Sequence, residues 1–153
     1  MLEQHLSTVT VQTSERGLVE ITGEVRACLA ASGIRDGLLT LFLRHTSASL
    51  LVQENADPDV KDDLERFFAR LVRDGDALFR HDAEGADDMP AHVRSALTAT
   101  QLSIPILGGR LGLGTWQGIY LWEHRLRGHL RELVVHAMGE PAADGGAGTY
   151  GSG

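Results

Sequence analysis

The chain has 153 residues, one cysteine and a formal net charge of −7 at pH 7 with its histidines counted neutral. This length indicates one domain, able to bury about two thirds of the surface of its unfolded chain without disulfides. The acidic balance excludes a nucleic-acid surface, which needs clustered Lys and Arg. No stretch approaches the roughly 18 apolar residues of a membrane span, and the first residues do not form a signal peptide. We therefore expect a cytoplasmic protein that binds a small molecule or a metal and no membrane.

Residues 1–57 predict one helix set among strands. Thr22 is placed to cap a helix from about Gly23 to Ser32, which Gly33 ends. His45 stands at the end of a strand, in line with core side chains. Runs rich in β-branched or apolar residues favour strands at 5–13, 18–21, 38–45 and 50–53.

The clearest helix is predicted at residues 58–72. Asp57 is placed to cap it, and Pro58 suits its first position. Its large apolar residues recur at helical spacing, which predicts one packed face made of Val60, Leu64, Phe67, Phe68, Leu71 and Val72.

The second half begins with a long loop. Residues 73–89 are rich in Asp, Gly and Ala and lack periodicity, and such loops are usually functional when they are ordered. A single domain over 1–140 should end in a flexible tail at 141–153, rich in Gly, Ala and Ser. Together the elements predict an α+β fold with a mainly antiparallel sheet core and two or three helices. The remaining elements are a helix at 91–100 and strands at 101–107, 118–124 and 132–138.

Two stretches contain histidines in polar surroundings. A histidine beside hydroxyls, as at His45, can ligate a metal, bind phosphate oxygens or exchange protons, although a hydrogen-bonded turn explains it more simply. His81 and His92 bracket four carboxylates, and nitrogen with carboxylate oxygen suits a divalent ion. Their spacing fits no short helical metal motif, so a solvated acidic loop explains them equally well. Glu54 is placed to orient a histidine, although the pattern does not decide between this role and a purely structural one.

The glycine-rich stretch 108–118 is not a dinucleotide-binding fingerprint, because it lacks the strand–GxGxxG–helix order. It predicts a tight turn between strands instead. Trp116 and Gln117 at its end are placed to line a pocket, although Trp116 fits the core equally well.

Taken together, these stretches resemble the YjbQ-type family. The resemblance covers nearly the whole chain up to about Gly139. Its most specific motif is the Gly-Thr-Trp-Gln sequence at 114–117, at this distance from the histidines. The matching stretches are 45–49, 54–57, 88–92, 109–119 and 123–125.

The resemblance implies a homotrimer with a histidine metal or anion site near subunit boundaries. It also implies a weak thiamine-phosphate synthase activity, a transferase reaction in which a pyrimidine diphosphate joins a thiazole phosphate and pyrophosphate leaves. On that hypothesis the catalytic residues are His45, His92, Glu54 and Asp88. A divalent ion (zinc, magnesium or manganese) would be held by His45, His81 and His92. The small phosphorylated substrate would contact Thr46, Ser47, Ser49, Arg110, Trp116 and Gln117.

The alternative hypothesis is a non-catalytic trimeric protein that binds a metal or a small anion. Measured turnover on a phosphorylated substrate would distinguish it from the transferase.

Overall fold

The chain folds as two antiparallel β-sheets with three helices over residues 1–143, which are the residues that this computed structural model describes. The predicted α+β class is confirmed. The tail predicted after residue 140 lies for the most part outside the described residues, and its first residue, Pro141, still belongs to the last strand. The elements are β1 Glu3–Gln12, β2 Glu15–Glu20, α1 Thr22–Ser32, β3 Ile34–Leu43, β4 Ala48–Glu54, α2 Pro58–Leu71, α3 Asp88–Leu97, β5 Gln101–Leu107, β6 Arg110–Leu111, β7 Gln117–Arg127 and β8 Leu130–Pro141.

The two sheets share one hydrophobic core. The larger sheet has the strand order β1-β8-β3-β5-β6, and the smaller has the order β2-β7-β4. Alternate residues of β3, such as Leu39 and Leu41, pack inward with Leu50 of β4 and Leu121 of β7. Helix α1 adds Val25 to the same core. Because a strand exposes opposite faces at successive residues, the other faces of the sheets remain for solvent, helices or a partner.

Helix α1 does not begin as the sequence predicts. Thr22 is the first helical residue, and Ile21 before it occupies the capping position without a side-chain hydrogen bond. The Thr22 hydroxyl donates instead to Glu20 Oε2 at 2.8 Å and accepts the Ile119 N–H at 2.9 Å. The predicted cap is therefore wrong, because a neighbouring strand takes the hydroxyl. Gly33 ends the helix as predicted, with φ of 70°.

Helix α2 is capped as predicted but packs less than predicted. Asp57 Oδ1 accepts the Asp59 N–H at 2.9 Å. No α2 residue is fully buried, and Phe67 is 53% exposed. The helix covers only part of the outer face of the smaller sheet, where Phe68 meets Trp122 edge to face with 4.8 Å between ring centroids.

Helix α3 begins three residues before the predicted start. Asp88 is its first residue, and Pro90 is its third. Proline is tolerated there because the first N–H groups of a helix have no partner within the helix. This shift changes the site, since it places Asp88 and His92 on the same helix. Between residues 1 and 143, no helix is long and apolar enough to cross a membrane.

Candidate metal centre

Two histidines and one carboxylate converge where α3 begins. His81 Nε2 lies 2.6 Å from Asp88 Oδ2, and His92 Nε2 lies 3.4 Å from the same oxygen. One ligand atom of each of the three residues lies within 4.8 Å of the other two. Within residues 1–143 this is the group of three His, Cys, Asp or Glu side chains that is close enough to hold one ion.

The helix and the preceding loop supply these side chains separately. Asp88 and His92 are four residues apart on α3, and residues at that spacing are neighbours on one helical face. His81 comes from the loop after α2 and is half exposed. That loop is held by Asp74, whose carboxylate accepts two hydrogen bonds from Arg16 at 2.8 and 2.9 Å.

Asp88 is a buried carboxylate kept charged by its neighbours. It is 1% exposed, and Arg125 Nη1 lies 2.8 Å from its Oδ1. Burial acts to raise the pKa of Asp88, but the hydrogen bond from His81 and the charge of Arg125 hold that pKa below its ordinary value. One carboxylate oxygen is thus occupied by Arg125, and the other points between the two imidazoles.

Arg125 fixes this carboxylate from β7. Its Nε donates to Asp87 Oδ2 at 3.0 Å, and its Nη2 donates to the Glu84 carbonyl at 2.9 Å. The guanidinium therefore ties the end of the loop and the start of α3 to the sheet. Side chains that orient a metal ligand in this way commonly decide its affinity.

His92 is oriented by a backbone carbonyl. Its Nδ1 lies 2.9 Å from the Thr46 carbonyl oxygen, so Nδ1 carries the proton and donates it. The lone pair then remains on Nε2, the nitrogen that faces Asp88. A carbonyl that fixes the tautomer of a ligating histidine is a recurrent feature of metal sites.

The spacing of the donor atoms suits a small divalent ion. Zinc lies about 2.0–2.1 Å from histidine nitrogen and carboxylate oxygen, which separates two tetrahedral ligand atoms by roughly 3.3 Å. The 3.4 Å between His92 Nε2 and Asp88 Oδ2 matches that separation. The 2.6 Å between His81 and Asp88 is the length of a hydrogen bond, and an ion in place of its proton requires the exposed His81 to move outward slightly.

His45 lies near this group but is engaged elsewhere. Its Nε2 accepts the Glu132 N–H at 2.8 Å. Burial and the charge of Arg131 lower the pKa of His45, which favours the neutral ring. His45 and His92 do line one cavity of about 370 Å³, together with Thr46 and Ser95. His45 therefore lies beside the candidate metal centre and is not one of the three residues whose ligand atoms converge there.

Of the hydroxyl residues after His45, Ser47 and Ser49 are buried, whereas Thr46 is exposed. Ser47 Oγ accepts from Arg131 Nη2 at 3.0 Å, and Arg131 also forms a buried ion pair with Glu123. Burial acts to raise the pKa of Glu123, but hydrogen bonds from Arg131 and Thr13 hold it below its ordinary value. A phosphate-binding role for Ser47 gains no support from this arrangement.

Ser49 belongs to a second buried network on the other face of β7. Arg94 Nε donates to His124 Nδ1 at 3.2 Å, so His124 Nε2 carries the proton that it shares with Ser49 Oγ at 2.8 Å. Arg94 also pairs with Glu65, which accepts the Trp122 indole N–H at 2.8 Å. Burial, reinforced by Arg94, lowers the pKa of His124 to about 3. His124 is therefore a neutral structural group.

The remaining predicted site residues lie toward the opposite end of the sheets. Glu54 pairs with Gln117 six residues along β4 from Ala48, whose carbonyl accepts from Ser95 of α3. Six strand residues span roughly 20 Å. Trp116 is 64% exposed just before Gln117 and is not part of the core. Within one chain these residues cannot contact a ligand held by His92.

Arg110 is equally distant from the histidines. It is the first residue of β6 and pairs with Leu107 of β5. The preceding β5 residue, Ile106, pairs with Gly37 of β3. Gly37 in turn lies six residues along β3 from Leu43, near the histidine end. The fold thus separates Arg110 from the histidines with which the resemblance groups it.

The sequence signal for Arg125 was present but weak. Glu123, His124 and Arg125 form a charged run on a strand, and such a run is ordinarily exposed. Here the first two are fully buried and Arg125 is mostly so. Strand β7 is covered by the larger sheet on one face and by helices on the other, which a local pattern does not reveal.

Comparison with known proteins gives the family. The model of the UPF0047 protein YjbQ-like family matches residues 7–140. A UPF0047 protein of Synechocystis sp. is 55% identical over 90% of this chain and 93% of its own length. The YjbQ protein of Escherichia coli O157:H7 is 46% identical over 87% of this chain and 96% of its own.

Solved structures give the same fold. A conserved hypothetical protein of Thermus thermophilus has a TM-score of 0.76 and 40% identity, covering 84% of this chain and 97% of its own. A YbjQ-like protein of Sulfolobus solfataricus, described as of unknown function, has a TM-score of 0.83 at 23% identity, covering 92% of this chain and 100% of its own.

The predicted thiamine-phosphate synthase-type transferase is wrong on these findings. The Synechocystis and Escherichia coli relatives carry only the UPF0047 or YjbQ designation, and none of the relatives named above is described as a transferase or as an enzyme of thiamine phosphate. The chain belongs to the YjbQ-like UPF0047 family.

Proposed function

We propose that this member of the YjbQ-like family binds one divalent metal ion through His81, Asp88 and His92. One observation carries the proposal. Asp88 Oδ2 lies within 3.4 Å of the Nε2 atom of both histidines, while Arg125 and the Thr46 carbonyl fix the orientation of Asp88 and His92. A buried carboxylate with its second oxygen between two imidazoles is an arrangement that a cation satisfies.

The donor set favours zinc or a similar late transition metal over magnesium. Magnesium prefers an octahedron of oxygen atoms, whereas imidazole nitrogen suits zinc, copper, nickel and iron. Two of the three donors are imidazoles. Three protein ligands leave at least one coordination position for a small molecule or water. The cavity of about 370 Å³ beside His92 gives space for such a molecule.

Calorimetric titration of the full-length, chelator-treated protein with zinc tests the proposal. We expect one ion per chain, and at least tenfold weaker binding for His81→Ala and for His92→Ala, because each loses a ligand. His129→Ala is the matched control, since His129 lies in the turn between β7 and β8, where its Nδ1 donates to the Arg127 carbonyl at 2.8 Å. Circular dichroism establishes that the variants fold.

Either of two outcomes would contradict the proposal. The wild type would take up no zinc, manganese or magnesium, or both histidine variants would bind metal as tightly as the His129 variant.

We also propose that the chain self-associates as a trimer through the outer face of the larger sheet. Leu38 and Met138 are direct neighbours there and are 41% and 45% exposed, and Phe42 and Leu6 lie on the same face. Contiguous exposed apolar side chains usually mark an interface. Light scattering after gel filtration should give three times the chain mass, and Phe42→Lys should lower it. A wild-type monomer at micromolar concentration would contradict this proposal.

A further inference from the structure

We propose a second binding site, separate from the metal centre: a groove between α1 and the β5–β6 hairpin that binds a small organic anion with an apolar body. The groove has a volume of about 410 Å³, within the usual range for small-molecule pockets. It contains Arg26 and Arg110 on opposing walls.

One wall is a single face of α1. Arg26, Leu29 and Ala30 follow at spacings of three and four residues, so they lie side by side along the helix. Leu29 is 3% exposed and is anchored in the core. The helix therefore presents Arg26 from a fixed backbone above an apolar surface.

The other wall is the hairpin turn. Gly108 and Gly109 have φ values of 59° and 79°, as a two-residue type I′ turn requires, and Arg110 pairs with Leu107 directly after it. Two bonds hold the turn to the start of β3. Gly109 N–H donates to the Arg35 carbonyl at 2.7 Å, and Gly108 N–H donates to Asp36 Oδ1 at 2.9 Å.

The groove is a local concentration of positive charge on an acidic chain. Within residues 1–143, neither Arg26 nor Arg110 has an ion-pair or side-chain hydrogen-bond partner, and no carboxylate lines the groove. Arg35 lines a smaller adjoining cavity of about 190 Å³ that shares Leu29, Ala30 and Gly109. The net charge of the chain is −7, yet within the described residues its acidic groups leave Arg26 and Arg110 without partners.

The ligand class follows from these groups. A guanidinium binds carboxylate or phosphate oxygens through two parallel hydrogen bonds, which defines the anionic end. Leu29, Ala30 and Leu111 offer apolar contacts for the rest of the molecule. A bare ion would leave this apolar surface exposed, and a neutral apolar molecule would leave the guanidiniums without partners.

The groove and the metal centre can be tested independently. Arg110 lies toward the end of the larger sheet opposite to the histidines, at roughly 20 Å as counted along β3. Loss of the metal should not change binding in the groove. The failure of either proposal therefore leaves the other standing.

Phenyl phosphate is the probe, with inorganic phosphate and phenol as its two halves. Titration into the full-length ¹⁵N-labelled protein should shift the amide signals of Leu29, Ala30 and Leu111 in a saturable way. Both halves should bind more weakly than the whole probe. Added sodium chloride should weaken the binding, because exposed charge pairs are screened by salt.

Variants test the arginines. Arg26→Gln and Arg110→Gln should each raise the Kd by up to about fivefold, the range of an exposed ion pair, and the double variant should raise it further. Arg66→Gln is the control, since Arg66 is an exposed guanidinium on α2 that pairs with Asp63 outside the groove. The proposal is overturned if the groove amides do not shift, if phenol binds as tightly as phenyl phosphate, or if the double variant binds like Arg66→Gln.

Discussion

Replacement of Asp88 by Asn separates the structural role of this residue from its role in metal binding. The amide keeps the shape of the carboxylate but removes the charge that faces Arg125 at 2.8 Å and His81 at 2.6 Å. Loss of a hydrogen bond to a charged group costs about 1.5–3 kcal/mol. For a domain of this size, each kcal/mol lowers Tm by about 2–4 °C, so the metal-free variant should melt about 3–12 °C below the wild type.

Metal should widen that difference. Zinc at one hundred times its Kd stabilises a protein that binds it only when folded by about 2.7 kcal/mol, which raises Tm by about 5–11 °C at this size. The wild type should show this rise in a thermal melt, and Asp88→Asn should show little of it. Asp62→Asn is the control, because Asp62 is an exposed carboxylate on α2 outside the metal centre.

The pH dependence of the metal-free proteins has a definite sign. The folded-state pKa of Asp88 is below the unfolded value, so its contribution to stability is complete above the ordinary value of 3.8 and is lost as the pH falls further. The difference in stability between wild type and variant should therefore shrink below about pH 3.8. A full zinc-dependent rise in the Tm of Asp88→Asn would refute the assignment of this carboxylate as a ligand.

Three further predictions concern residues that support the site. Arg125→Gln should weaken zinc binding about tenfold in calorimetry, with Arg125→Lys intermediate, because the guanidinium orients Asp88; equal affinities would exclude that role. Glu65→Ala should lower the free energy of unfolding in urea by about 3 kcal/mol, because the substitution leaves the buried charge of Arg94 unpaired. A loss under about 1 kcal/mol would contradict this prediction. The ring signals of His124 should not titrate in NMR between pH 8 and 5, because the pKa of His124 lies at about 3; a midpoint near pH 6 would contradict its burial.

The residues of the candidate metal centre were predictable only in part, and their geometry was not. His81 and His92 stand out as histidines that bracket carboxylates, but the predicted ligand set included His45, and Asp88 was expected to have a catalytic role. The relation of Asp88 to His92 was not predicted because the helix was expected to begin at residue 91, and only the earlier start puts both on one helical face. The position of His81 depends on contacts of its loop with Arg16 and Arg125, which are distant in sequence.

The grouping of the other motifs failed for a related reason. Residues 45–49 and 114–117 both carry the resemblance to the family, but this does not make them neighbours in space. Six residues of a strand span roughly 20 Å, so motifs at opposite ends of β4 and β7 cannot contact the same ligand within one chain. Only an assembly could bring them together, and the proposed trimer makes that testable.

Strand β7 explains why a histidine beside an acid is a poor guide to a site in this fold. Strand alternation predicts that Glu123 and His124 face opposite sides, and they do: Glu123 meets Arg131, and His124 meets Arg94. Both faces are covered, so both residues are buried and hydrogen-bonded, and neither has an atom left for a ligand. His92 differs because a carbonyl takes only its Nδ1, while Nε2 stays beside a charged carboxylate in a partly exposed position. A histidine can bind a metal only when one of its ring nitrogens is not already taken by a hydrogen bond, and its neighbours in the sequence do not reveal this.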